Sequence, residues 1–206
     1  MKFHKDWYSQ AGQDKWVCDF FNNKRDGYFL DIGAGDGIGD NNTYYLEKQL
    51  EWKGLCIECG DKDFDACKSI RSATCIKTGI WSDNKVLFYN IGTHSINDKG
   101  IGSIVPCLTL SRLFSKYNVP SVIDYVSLDI EGSELEALKG WPWETHNAIL
   151  FTVEHNLYLK NDPTMKNSLF NFLTEKGYER VVENVSCQDS HNRPFEDWYC
   201  HKNYIK

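Results

Sequence analysis

The feature that most constrains this chain is an alternation of short apolar runs with stretches of helical spacing. YFLDIG (28–33), LCIEC (55–59), TCIKTGI (74–80), DYVSLD (124–129) and AILFTVE (148–154) have the length and composition of strands one to five. Helical patterns separate them. Trp16, Val17, Phe20 and Phe21 share one face before the first strand, and residues 43–50 follow it. Phe64, Cys67 and Ile70 mark a third helix; Leu110, Leu113, Phe114 and Tyr117 mark a fourth, with Thr109 as its N-cap and Pro120 beyond its end. Ser133 and Glu136 read as a capping box opening a short helix that stops at Gly140 and Pro142. Asp162 caps and Pro163 starts a last helix, with Met165, Leu169, Phe172 and Leu173 on one face, ending near Gly177.

Strand–helix alternation implies an α/β fold with a parallel sheet and helices on both faces. The tail adds two strands, YERVVE and the DWYC region, with no helix between them, and so an antiparallel pair at one edge. Between Lys85 and Ser103 the sequence reads as one short strand, VLFYN, and a glycine-bearing loop at 91–103 suited to act as a lid over an acceptor. No linker or repeat divides the 206 residues, so a single domain spanning 1–206 is expected, either whole or cut from a larger enzyme.

In such a sheet a ligand lies beyond the carboxyl ends of the strands, and the unusual residues gather there. DIGAGDG (31–37) follows the first strand; Gly33, Gly35 and Gly37 permit a tight turn and a close approach to a ligand. A dinucleotide loop, G-x-G-x-x-G, would need glycine where Ile38 stands, and Asp31 and Asp36 would repel a diphosphate. Two carboxylates suit a cationic cofactor without phosphates, which favours S-adenosylmethionine over a nicotinamide dinucleotide. Glu58, ending the second strand, is placed to accept ribose hydroxyls, and Trp81, Ser82 and Asp83 follow the third strand, where an adenine would lie. Asp129, Glu131 and Glu134 after the fourth strand, and Glu154 and His155 after the fifth, would converge if those strands are neighbours. Carboxylates crowded in a cleft need a cation, a metal or a shared proton.

The net charge of −6, with 23 scattered basic residues and no N-P-P-[YFW] motif, argues against nucleic acid as a partner. No apolar run reaches the ~18 residues of a membrane span, and the N-terminal MKFHKDWYSQAGQDK has no secretory apolar stretch, so a cytoplasmic chain without a membrane partner is expected. The eight cysteines read as reduced. Cys56 and Cys59 form a C-x-x-C inside a strand, and Cys18, Cys67 and Cys107 occupy apolar positions, where cysteine acts as a small hydrophobe rather than a zinc ligand.

SQAGQD (9–14), GYFLDIGAGDG (27–37), NTYYLEK (42–48), WKGLCIE (52–58), IDYVSLDIEGSE (123–134) and VEHN (153–156) together resemble the FkbM-like methyltransferases, in the same order and over nearly the whole chain. The chain departs from that pattern at Cys59 and Gly60, where the family has Pro and Asn, and at Asp40–Asn41, where a Ser is common. The resemblance implies a single-domain class I methyltransferase Rossmann-like fold with a mostly parallel seven-stranded sheet. It implies S-adenosylmethionine as donor and O-methylation of a sugar or glycan hydroxyl, in a domain that can be fused to glycosyltransferase domains. Non-sugar natural-product hydroxyls and a non-catalytic binding module are the alternatives. The expected cofactor residues are Gln13, Asp31, Gly33, Gly35, Asp36, Asn42, Glu58 and Ser82. His155 is the expected general base, with Asp129 or Glu154 as orienter or alternative base. Asp129, Glu131 and Glu154 are hard oxygen donors that would suit a divalent cation such as Mg²⁺.

Overall fold

The computed structural model describes residues 7–157, 162–186 and 194–205. Its main sheet has seven strands, numbered here in chain order with those of a second sheet: β1 (Tyr28–Ile32), β2 (Lys53–Glu58), β3 (Thr74–Lys77), β8 (Val122–Leu128), β9 (Asn147–Glu154), β10 (Tyr178–Ser186) and β11 (Pro194–His201). Their spatial order is β10-β11-β9-β8-β1-β2-β3. The pairs from β3 through β9 are parallel, while β11 runs antiparallel to both β9 and β10. The order reverses at β1, which lies between β2 and β8. This is the seven-stranded arrangement, with its antiparallel edge pair, that the sequence predicts.

Among the described residues each face of the sheet carries three helices, because each helix has one apolar stripe to bury. On one face α1 (Gln13–Phe20), α2 (Tyr44–Leu50) and α3 (Asp61–Ile70) contribute Val17, Leu46 and Cys67 to a core with Phe29 and Cys56 of the sheet. On the other, α4 (Leu110–Tyr117), α5 (Glu134–Lys139) and α6 (Thr164–Glu175) bring Leu113, Leu138 and Leu169 onto Leu30, Val126 and Phe151. Thr109 caps α4 as predicted, its side chain accepting the Arg112 N–H at 3.1 Å. The predicted capping box of α5 does not form. Ser133 makes no side-chain cap, and Glu136 instead takes the Ser82 hydroxyl at 2.6 Å and Lys139 at 2.6 Å.

The larger difference from the sequence lies after β3. TCIKTGI is not one strand: β3 ends at Lys77, and β4 (Gly79–Ile80) turns into a second sheet with β5 (Lys85–Asn90), β6 (Ser95–Asn97) and β7 (Ser103–Leu108), in the order β4-β7-β5-β6. The segment read as a loop, 91–103, carries β6 and the first residue of β7 and so belongs to this second sheet. It buries one face only, through Leu87, Tyr89, Ile96, Val105 and Cys107, with Cys59 and Trp81 packed alongside.

Because β1 is covered on both faces, its one charged residue must be matched internally. Asp31, 2% exposed, accepts from Asn41 Nδ2 at 2.8 Å and Thr43 Oγ1 at 2.6 Å, with Arg71 Nη1 at 3.6 Å. Arg71, at the end of α3, also binds Glu47 Oε2 (2.7 Å), Asn41 Oδ1 (3.0 Å), Thr43 Oγ1 (2.8 Å) and the Gly37 carbonyl (3.2 Å). One buried guanidinium thus ties α2, α3 and the loop after β1 to a central strand. Arg71→Leu leaves buried Asp31 without its cation and Glu47 with Lys48 alone, and is expected to lower unfolding free energy in urea by about 3–5 kcal/mol; a loss under about 1 kcal/mol would show that the network contributes little.

Candidate active site

β1 ends in a bend that only glycine can make. Gly33 has φ +92°, and a Cβ there would lie 1.6 Å from the Asp129 carbonyl oxygen. The backbone continues toward β2, with Gly33 and Ala34 N–H both donating to the Ile57 carbonyl at 2.9 and 3.1 Å. Two clefts open on either side of this bend. One, of about 680 Å³, is bounded by Glu58 and Cys59 after β2, by Thr78, Gly79 and Ile80 at the break between sheets, and by His94, Ile96 and Glu131. The other, of about 590 Å³, is bounded by Gln10, Asp31, Asn41, Asn42 and Ser127. Gly33, Gly35 and Asp129 line both.

Of the predicted cofactor residues, Asp31, Gly33, Gly35, Asn42 and Glu58 line these clefts. The Glu58 carboxylate takes N–H groups from Gly35 (3.0 Å), Cys59 (2.8 Å) and Gly60 (2.7 Å), so it anchors the glycine loop while facing the first cleft. Burial raises its pKa, and those three N–H groups oppose the rise. Asn42 gives its Nδ2 to Ser127 Oγ at 2.9 Å, but its buried Oδ1 has no partner. The contacts of Asp31 described above all use Oδ2.

Three predicted residues are engaged elsewhere. Asp36 is exposed and closes a local turn, its Oδ1 accepting from Ile38 and Gly39 N–H at 2.9 and 2.8 Å. Ser82 donates to Glu136, away from both clefts. Gln13 is buried with its Nε2 on Glu196 Oε1 at 3.1 Å and its Oε1 on the Ala11 N–H at 2.8 Å. The SQAGQD segment is folded around such bonds, Asp14 binding Ser9 Oγ and the Tyr8 N–H (2.8 Å), and it presents Gln10 to the second cleft.

The acids beyond β8 and β9 do converge. Carboxylate oxygens of Asp129, Glu131 and Glu154 all lie within 4.8 Å of one another. Burial, then the charge of Asp129, drives the Glu154 pKa well above the ordinary carboxylate range, and burial raises that of Asp129 as well. The pair shares a hydrogen bond that favours the ionised form of Asp129 and the protonated form of Glu154. Asn156 Nδ2 donates to Glu154 Oε2 at 2.8 Å, and its buried Oδ1 is unpartnered. Glu134, fully buried and pushed up to about 7 chiefly by burial, holds the Ile130 and Gly132 N–H groups, each at 3.0 Å, and so shapes the loop.

His155 does not join them. Successive strand residues point to opposite faces. Its imidazole is 1% exposed, accepts the Leu157 N–H on Nδ1 at 3.2 Å, and sets Nε2 3.5 Å from Asp197 Oδ1. The residue opposite Glu154 is Glu196 of β11, which the sequence did not single out. Glu196 is bound by Trp198 Nε1 and Gln13, and its pKa is pushed up to about 8, first by burial and then by Asp129.

Residues 31–180 match the Methyltransferase FkbM domain. The chain belongs to the FkbM methyltransferase family. No curated protein matches the sequence significantly. Solved structures share the fold at low identity. A candidate rRNA methylase from Clostridium thermocellum superposes with a TM-score of 0.56 at 14% identity, covering 94% of this chain and 96% of that one. A precorrin-6y C5,15-methyltransferase from Geobacter metallireducens gives 0.52 at 13%, covering 91% and 86%. A candidate methyltransferase from Streptococcus mutans, in complex with SAH, gives 0.51 at 12%, covering 90% and 96%. The fold of this FkbM chain is therefore that of the S-adenosylmethionine-dependent class I methyltransferases. Among its described residues no helix is long and apolar enough to cross a membrane.

The protonated state of Glu196 has a measurable consequence. A carboxyl whose folded pKa is about 8 holds its proton in the folded state over a pH range where the unfolded chain, at about 4.5, has lost it. This group therefore subtracts stability progressively as pH rises from about 4.5 to 8. Glu196→Gln keeps an oxygen for Trp198 and removes the titration. It is expected to be more stable than the parent at pH 8 by roughly 2–4 kcal/mol and nearly equal at pH 4.5. Equal shifts at both pH values, in denaturant titrations, would contradict this assignment.

Proposed function

We propose that this FkbM domain binds S-adenosylmethionine across the glycine bend and methylates a hydroxyl of a neutral sugar or glycan. What carries the reading is the position of Asp129, shared by both clefts and flanked by Glu154, whose pKa burial and the Asp129 charge drive upward. Glu58 at the first cleft suits ribose hydroxyls. Asn42 Oδ1, buried and unpartnered beside Asp31 in the second, suits an ammonium donor. S-adenosylmethionine supplies an electrophilic methyl group.

The chain's own residues then have a proton to move. Asp129 accepts it from the acceptor hydroxyl, and Glu154, hydrogen-bonded to Asp129 and held by Asn156, keeps the second carboxyl neutral so that the base carries a single charge. A base whose pKa has been lifted by burial accepts a proton more readily than an ordinary carboxylate. Of the residues lining the first cleft, Glu58, Asp63, Asp129 and Glu131 are acids and none is Lys or Arg. With no Lys or Arg lining either cleft, the acceptor that meets Asp129 is better an uncharged polyol, whose hydroxyls donate to carboxylates, than one bearing phosphate. The same lining also counts against nucleic acid.

The Asp129–Glu131–Glu154 spacing supports a second version, in which those oxygens would hold Mg²⁺ and the ion would supply Lewis-acid polarisation of the acceptor oxygen. A natural-product hydroxyl as acceptor, or binding without chemistry, are the alternatives to sugar methylation.

Mass spectrometry of sugars and glycans incubated with isotope-labelled donor tests the reading. Asp129→Asn is expected to keep S-adenosylhomocysteine affinity within a few-fold and to lower transfer by about 10²–10⁴-fold. Transfer unchanged in that variant would remove Asp129 from the chemistry. The rate should fall as pH drops through the raised pKa of the Asp129–Glu154 pair, because the base works only when deprotonated. Transfer that persists in excess chelator selects the metal-free version.

A further inference from the structure

A second cluster of reactive side chains lies behind the glycine loop, outside both clefts. Cys56 of β2 and Cys75 of β3 are register partners in adjacent parallel strands, so their side chains leave the sheet on one face. Cys67 of α3 meets them there. The three sulfurs all lie within 4.8 Å of one another, and Cys67 Sγ is 3.8 Å from Cys75 Sγ. Two thiolates bound to one tetrahedral ion at about 2.3 Å stand about 3.8 Å apart. The Cys67–Cys75 pair is thus already at the spacing of two thiolates on one ion, and Cys56 lies within reach of both. Cys56 and Cys67 are each 1% exposed, while Cys75 is half-buried and leaves a path for an ion to enter. Hydrogen bonds with Cys67 and Cys75, then burial, push the Cys56 thiol up, while the hydrogen bond with Cys56 pulls Cys75 down to about 6; the guanidinium of Arg71, one helical turn beyond Cys67, favours the anionic form of both.

We propose that Cys56, Cys67 and Cys75 form a binding site for one thiophilic closed-shell ion, Cu(I) or Zn(II). Soft sulfur donors select such ions over Mg²⁺ or Ca²⁺. Among the described residues no fourth His, Cys, Asp or Glu joins the group. Three sulfurs satisfy Cu(I) alone, whereas Zn(II) would take water as a fourth ligand on the open side of Cys75. Binding releases the thiol protons to solvent, as thiolates are the ligands. The site is joined to the methyltransferase loop, since a Cβ at Gly37 would lie 2.9 Å from Cys67 Sγ, and Arg71 donates to the Gly37 carbonyl. An ion there fixes α3 against the loop and raises the melting temperature.

The test uses reduced, metal-free protein titrated with Cu(I) or with Zn(II), each against a chromophoric chelator. One equivalent of either ion is expected to bind, and the ion that competes better names the occupant. Bound ion should protect Cys75 from iodoacetamide relative to the metal-free protein, read by peptide mass spectrometry. Cys75→Ser, at the half-buried position, should weaken binding by more than the 10–100-fold typical of losing an outer-shell partner. Thermal melting shows that the variant is folded, and the protection experiment needs no variant. Failure of both ions to compete, unprotected Cys75, or equal binding by a C56S/C67S/C75S chain would each overturn the proposal. The last result would place the ion elsewhere, on the acids after β8 and β9.

Discussion

The contact on which the site depends is the approach of Gly33 to the Asp129 carbonyl, too close for any side chain. It brings the ends of β1 and β8 together, and the Asp129 N–H closes the junction by donating to the Ile32 carbonyl at 2.9 Å. The loop after β1 and the carboxylate after β8 are therefore placed by a single piece of backbone geometry. Arg71 supports the same loop from behind, through Gly37, Asn41 and Thr43, and Glu58 supports it from the side through the Gly35 N–H. Side chains at the mouth of the sheet are consequently held by backbone and buried polar bonds rather than left to sample rotamers, which is what positioning a reacting pair demands.

Around that junction the protein tolerates an electrostatic cost. Asp129, Glu131, Glu134, Glu154 and Glu196 are drawn toward one region, and a cluster of like charges in low dielectric cannot all ionise. Four of them are managed in different ways. Glu134 accepts two backbone N–H groups, Glu196 is held by Trp198 and Gln13, and Glu154 shares a hydrogen bond with Asp129. Residues selected for packing alone would not be carboxylates here, which is why the crowding points to chemistry.

The main sheet was legible because its central strands are buried on both faces and read as continuous apolar runs, as YFLDI and VSL do. The second sheet was not. It is buried on one side only, β6 has three residues, and Pro106 within β7 argues against a strand by the usual rule. Its outer face leaves Val86 62% and Ile104 72% exposed, so the alternation that marks a half-buried strand is blurred. In the site, the glycine bend and the acids at strand ends were readable because each sits beside a recognisable strand. His155 misled for the same reason: adjacency to Glu154 in sequence puts it on the opposite side of the sheet, against Asp197. Glu196 could not be read because Glu154 and Gln13 lie far from it in sequence, and the cysteine cluster was hidden because Cys56 and Cys67 occupy apolar positions and meet Cys75 only through the β2–β3 register.

The account rests on the claim that the Gly33 bend builds a cofactor site for a sulfonium compound. Titration calorimetry with S-adenosylhomocysteine, on the parent chain and on Gly33→Ala, measures this directly. The account expects saturable one-site binding to the parent and none to the variant, whose added methyl group cannot coexist with the Asp129 carbonyl. Folded parent protein that gives no heat with S-adenosylhomocysteine, but saturates with a nicotinamide dinucleotide, would contradict it.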